Sequence, residues 1–102
     1  MTGGGGRRHR GRELALRVLF EVEGTTKDPA AVITYQGEEL GATADVSRFA
    51  EQLVYGCLEH LDKVDDSIAA AATNWDLIDL GKVERAVLRL GSYELLRELD
   101  TH

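Results

Sequence analysis

The sequence predicts an all-α bundle of about five helices, and two observations carry that expectation. Apolar residues recur at three- and four-residue spacing over 14–22, 45–61 and 77–96, the period of a helix with a buried side. Nowhere do apolar and polar residues alternate as in a half-buried strand, and no internal repeat or domain boundary emerges. At 102 residues the chain is the size of one small domain, able to bury a core with little margin.

The elements follow in order. Residues 1–6, MTGGGG, can bury nothing and are expected as a flexible tail, leaving 7–102 as a single helical domain. From Arg8 to about Val22 the pattern is helical: Leu14, Ala15, Val18, Leu19 and Val22 share one side, Phe20 lies off it, and Gly24 is a stop signal. Residues 24–44 hold three glycines and the only proline. There Asp28 and Pro29 could open a short helix, but Val32, Ile33, Thr34 and Tyr35 weaken it, so the expectation is a loop with about two helical turns.

The clearest helix spans 45–61, with Val46, Phe49, Ala50, Leu53, Val54, Cys57, Leu58 and Leu61 on one face and Thr43 or Asp45 as its cap. After a turn near Asp62, Val64, Ile68 and Ala71 suggest a further short helix. Last comes 74–95, NWDLIDLGKVERAVLRLGSYEL, in which Leu80, Val83, Val87 and Leu90 make one stripe and Ala86, Tyr93 and Leu96 widen it. So much of this helix is apolar that a central position wrapped by others is expected. Gly91 within it implies a close helix approach or a kink.

Most catalytic chemistry lacks its residues here. His9, His60 and His102 are scattered without ligand spacing, and one cysteine, Cys57 within an apolar stripe, supports neither a disulfide framework nor a multi-cysteine metal site. There is no phosphate-binding loop, and Asp65–Asp66 reads as solvated surface. The expectation is therefore no enzyme, no cofactor and no metal. No apolar run approaches the ~20 residues of a membrane span, and a cytoplasmic setting fits the cysteine usage.

Charge is segregated. The net charge of −6 combines +4 over residues 1–17, where five arginines face Glu13, with −10 over the remainder. RRHRGR stands where a helix dipole disfavours cations, so a bound anion would account for it, and arginine's planar fork suits phosphate. A basic end on an acidic body suggests an anion-binding arm; a solubilising tail is the alternative.

Three stretches carry a family resemblance: RRHRGRELALRVLFEVE, FAEQLVYGCLEHLDKVDDSI and NWDLIDLGKVERAVLRLGSYELL. In order and separation they resemble the NusB transcription antitermination family over roughly residues 7–100, apart from 24–44. The resemblance implies two small helical bundles and a non-enzymatic RNA-binding factor. Such proteins pair with NusE, a small-subunit ribosomal protein, to bind boxA-type single-stranded RNA of ribosomal RNA leaders, within an RNA polymerase elongation complex carrying other Nus factors. On this likeness Arg7, Arg8, Arg10 and Arg12 form the RNA-contacting arm and Phe20 lies beside the RNA-facing surface. Glu84, with Lys82, Arg85 and Arg89 as neighbours, falls on the helix edge used near the protein partner. Arg85 and Arg89, four apart, are mildly destabilising unless a partner separates their charge.

Family members usually continue for about two more helices past ELDTH, so residues 77–96 are expected to expose apolar surface, with low stability or a homodimer through that face. Two alternatives remain. One is the NusB-like N-terminal RNA-binding domain of a ribosomal-RNA cytosine methyltransferase; the other is a helical interaction module without RNA binding.

Overall fold

The computed structural model describes residues 3–71 and 80–101. These form five helices and, among the described residues, no strand: α1 (Gly3–Val22), α2 (Pro29–Leu40), α3 (Ala44–Glu59), α4 (Leu61–Ala71) and α5 (Lys82–Thr101). The fold class is the one expected from the apolar spacing.

Helix α1 begins five residues before its expected start, so Gly3 to Gly6, expected as tail, are helical. Its predicted stripe is the heart of the core, with Leu14, Ala15 and Val18 fully buried and Leu19 and Val22 nearly so. It ends at Val22, and the turn that follows passes through Gly24, whose φ of +74° is open to glycine at little cost.

Helix α2 corrects the loop expected over 24–44. Asp28 Oδ1 accepts from the Ala30 N–H at 3.2 Å, Pro29 occupies the first turn, and Gly41, at φ +65°, closes the helix by donating to the Glu38 carbonyl. Helix propensity undervalued this segment. A β-branched residue costs at most ~0.7 kcal/mol in a helix, whereas burying its side chain returns ~1.5–3 kcal/mol. Val32 and Ile33 are both buried against α1 and α3, so packing decides.

Helix α3 is capped by Thr43, whose hydroxyl accepts from the Val46 N–H at 3.3 Å, while Asp45 turns to surface arginines. One residue, His60, separates α3 from α4, so the turn lies just before Asp62. Its backbone N–H and its ring Nδ1, at 2.9 Å, both meet the Gly56 carbonyl, a helix-end role. Val64 and Ile68 of α4 are buried as expected; Ala71 is exposed.

Helix α5 departs most from expectation. Its inward stripe is Ala86, Leu90 and Tyr93, while Val83 and Val87 are 55% and 48% exposed. The helix is rotated because Arg85 and Arg89, on the flank of that stripe, find carboxylates just past the end of α1 and on α4. It is an edge helix among the described residues, not a wrapped centre, and Leu95 and Leu99 are exposed too. A side chain at Gly91 would meet nothing within 4 Å, so no close approach explains that glycine. The close approaches are elsewhere. The Phe49 ring lies where a Gly11 side chain would be, and the Tyr93 hydroxyl does the same at Gly56. The start of the final motif, 74–79, lies outside the described residues.

Candidate nucleic-acid interface

Successive helical residues turn by about 100°, so the four N-terminal arginines fan around α1 instead of forming one patch. Arg10 donates to the Leu40 and Gly41 carbonyls at 3.1 and 3.4 Å, satisfying the C-terminus of α2. Arg7 pairs with Asp45 at 3.3 Å, a carboxylate shared with Arg48. Both members are more than half exposed, so the pair holds only loosely. Arg8 sits over the Phe49 ring, 5.6 Å from its centroid. Arg12 Nε donates to Glu94 Oε2 at 2.6 Å, tying α1 to α5. Two of the four arginines are thus ion-paired with the protein's own carboxylates, and one caps a helix.

Arg8, Arg12, Leu16 and Phe20, each four residues apart, wind slowly around α1 and border its seam with an antiparallel α5. Lys82 lies over the 40%-exposed Phe20 ring, 4.8 Å from its centroid, at one end of this seam. There Leu16, Phe20, Val83 and Ala86 line an open, mainly apolar hollow of about 520 Å³. At the other end Arg8, Arg12, Phe49, Glu94, Leu95, Arg97 and Glu98 line an open polar groove of about 630 Å³, with Gly91 leaving its wall clear. The seam therefore runs from charged to apolar.

The expected partner-facing residues separate into two groups. Glu84 is exposed and Lys82 half-exposed. Arg85 and Arg89 are not surface charges: their side chains are 20% and 18% exposed and converge on Glu23. Arg85 Nε donates to Glu23 at 2.5 Å, and Arg85 also reaches the Leu80 carbonyl. Arg89 grips Asp65 with two bonds of 2.9 Å and touches Glu23 at 3.3 Å. Shared carboxylates offset the repulsion expected between these two arginines. Asp65, expected as solvated surface, is half-buried in this network. The Arg85 hydrogen bond holds Glu23 below the usual carboxylate range against the opposing effect of burial. Arg89 is shifted upward, first by its hydrogen bonds to Asp65.

Cys57 is fully buried, and burial pushes its thiol up to about 11, so it is a neutral core group. Among the described residues no cluster of three or more His, Cys, Asp or Glu could hold a metal ion, and no helix is long and apolar enough to cross a membrane.

Phe49, Glu94 and Glu98 join the interface without having been singled out from sequence. Phe49 was counted with the core stripe. Its open side depends on where the second half of α5 lies, which local spacing does not give.

Fold and site together define a small all-helical binding module with a cationic edge. The chain belongs to the NusB family, whose model matches residues 9–102. It is 38% identical over 94 residues to the transcription antitermination protein NusB of Bacillus pumilus, covering 92% of this chain and 69% of that protein. It is 42% identical over 92 residues to the protein of that name from Sorangium cellulosum, covering 89% and 65%. Among solved structures it is similar to a chain in a crystal structure of a plectonemic RNA supercoil, with a TM-score of 0.79 and 30% identity over 87% of this chain and 65% of that one. The chain thus spans about two thirds of the length of such relatives.

Proposed function

We propose that this chain binds single-stranded RNA along the seam between α1 and α5 and serves transcription antitermination. One observation carries the reading: Arg8, Arg12 and Phe20 all border the α1–α5 seam, which brings phosphate-seeking and base-stacking groups to one track. Membership of a family whose relatives bear the antitermination name supports the same reading. The chemistry is binding, with no catalytic step.

The finer assignments belong to this proposal. The RNA is a boxA-type ribosomal leader, read jointly with NusE inside the polymerase elongation complex. Lys82 and Glu84 form the partner edge, while Arg85 and Arg89 act from within by fixing α5. Val83, Val87, Leu95 and Leu99 offer a face for a homodimer.

Binding of boxA RNA by wild type, Arg8→Ala and Arg10→Ala, measured across a salt series, tests the reading. Arg8→Ala is expected to weaken binding and flatten its salt dependence by about 0.7 in log–log slope. Arg10→Ala is expected to act mainly on stability, because its donors cap α2. Unchanged RNA affinity in both variants would retire the arginine arm.

The ion pairs of Arg7 and Arg12 favour the second reading, a helical interaction module without RNA binding. Capture of NusE with and without boxA RNA separates the two: capture indifferent to RNA supports the module.

A further inference from the structure

The polar groove at the Arg8 end of the seam mixes charges of both signs. Two carboxylates, Glu94 and Glu98, line it beside Arg8, Arg12 and Arg97, and Arg12 is already bound to Glu94 at 2.6 Å. A phosphate in this groove would meet those carboxylates at close range. An aromatic ring also belongs to its wall: Phe49 is half-buried, seated in the notch at Gly11, with a guanidinium above it. Gly91 keeps the facing wall free of a side chain.

We propose that this groove holds one unstacked nucleobase of the bound RNA, and that the base is guanine. The inference rests on the RNA-binding reading and deepens it by giving the seam a base-selective position. Phe49 supplies the stacking platform once Arg8, which now covers the ring at 5.6 Å from its centroid, moves outward to lie over the other face of the base, since guanidinium planes stack on bases as aromatics do. Carboxylates only accept hydrogen bonds. Guanine presents two adjacent donors, N1–H and the N2 amino group, which match the two oxygens of one carboxylate. Uracil offers one ring N–H between two carbonyls that a carboxylate repels. Adenine places a bare ring nitrogen beside its amino group. Arg12 fixes Glu94 on the groove wall, and Glu98, one turn further along α5, is the exposed carboxylate available to the base edge. The phosphates then run outside the groove, towards Arg7 and the outer side of Arg8.

The test uses the full chain and three single-stranded uridine oligonucleotides about a dozen residues long: one all-uridine, one with a central guanosine and one with a central adenosine. Fluorescence anisotropy compares wild type with Phe49→Leu and Glu98→Gln. Wild type is expected to prefer the guanosine strand. Phe49→Leu, which keeps an apolar group in the Gly11 notch, is expected to lose about tenfold on that strand. Glu98→Gln, at an exposed position where folding is not at stake, replaces one acceptor by a donor and is expected to shift preference from guanosine towards adenosine. Salt-dependent binding with no guanosine preference, or with that preference intact in Glu98→Gln, overturns the groove assignment and leaves the RNA reading standing. Failure of wild type to bind any of the three strands, with the helix content intact by circular dichroism, overturns both.

Discussion

Arg89 donates to both carboxylate oxygens of Asp65 at 2.9 Å, joining α5 to α4, and its remaining reach goes to Glu23, in the turn just after α1, at 3.3 Å. A single guanidinium thus ties three helices together. Arginine is suited to the position because its planar fork can satisfy two acceptors in fixed directions, which an ammonium group cannot.

Replacing Arg89 by methionine, which keeps the apolar stem, is expected to destabilise the protein by about 2 kcal/mol, in the range for hydrogen bonds to charged groups. Arg89→Lys should recover only part of that loss. Urea unfolding followed by circular dichroism measures both. Equal stability of Arg89→Met and wild type would remove the three-helix tie as a source of stability.

Glu23 sets an acid limit. Its ordinary value is 4.5, and the Arg85 hydrogen bond lowers it in the folded protein. The unfolded chain therefore takes up a proton at this site before the folded one does. The stability it contributes is complete above about pH 4.5 and is lost as pH falls through the lowered folded value. Glu23→Gln should unfold more easily at neutral pH and show a shallower acid decline. Urea midpoints collected from about pH 3 to pH 7 test the sign; parallel curves for the two proteins would contradict it.

On the proposed reading, the Arg12–Glu94 pair competes with RNA. The pair, at 2.6 Å with side chains 43% and 24% exposed, neutralises a cation that the arm would otherwise offer to phosphate. Glu94→Gln is therefore expected to strengthen binding to an all-uridine strand severalfold at low salt and to steepen its salt dependence. Arg12→Gln should do the opposite. Weaker all-uridine binding in Glu94→Gln would show that the pair positions Arg12 for RNA instead of withholding it.

The apolar side of α5 should show itself in solution. Val83, Val87, Leu95 and Leu99 are each about half or more exposed. Exposed apolar side chains of this kind favour association. Sedimentation velocity across a concentration series is expected to show reversible self-association, reduced by Val87→Lys and Leu95→Glu together. A single monomeric species at all concentrations would argue against the homodimer.

The fold was legible in the sequence wherever one side of a helix alone decides burial. The stripes of α1 and α3 are correct nearly residue for residue because each faces a single core. The cap residues Asp28, Pro29 and Thr43 were visible because capping is local chemistry. Helix α2 was under-read because Val32 and Ile33 are favoured by contacts with α1 and α3 that no local rule contains. Helix α5 turns from its expected stripe for a related reason. Leu90, Ala86 and Tyr93 face inward as expected but Val83 and Val87 do not, because Glu23 and Asp65, 62 and 24 residues away from the arginines they hold, set the rotation.

The candidate site was legible as an inventory and not as a geometry. The arginine cluster and Phe20 could be named from the chain. That Arg10 would cap α2, or that Arg85 and Arg89 would turn inward, depends on long-range partners. Phe49 was hidden by its own apolar character.

The notch at Gly11 makes the groove sensitive to a change the size of one methyl group. Alanine there would collide with the Phe49 ring, which can yield only by swinging away from α1. Such a chain could keep its helices and still lose its grip on a ligand.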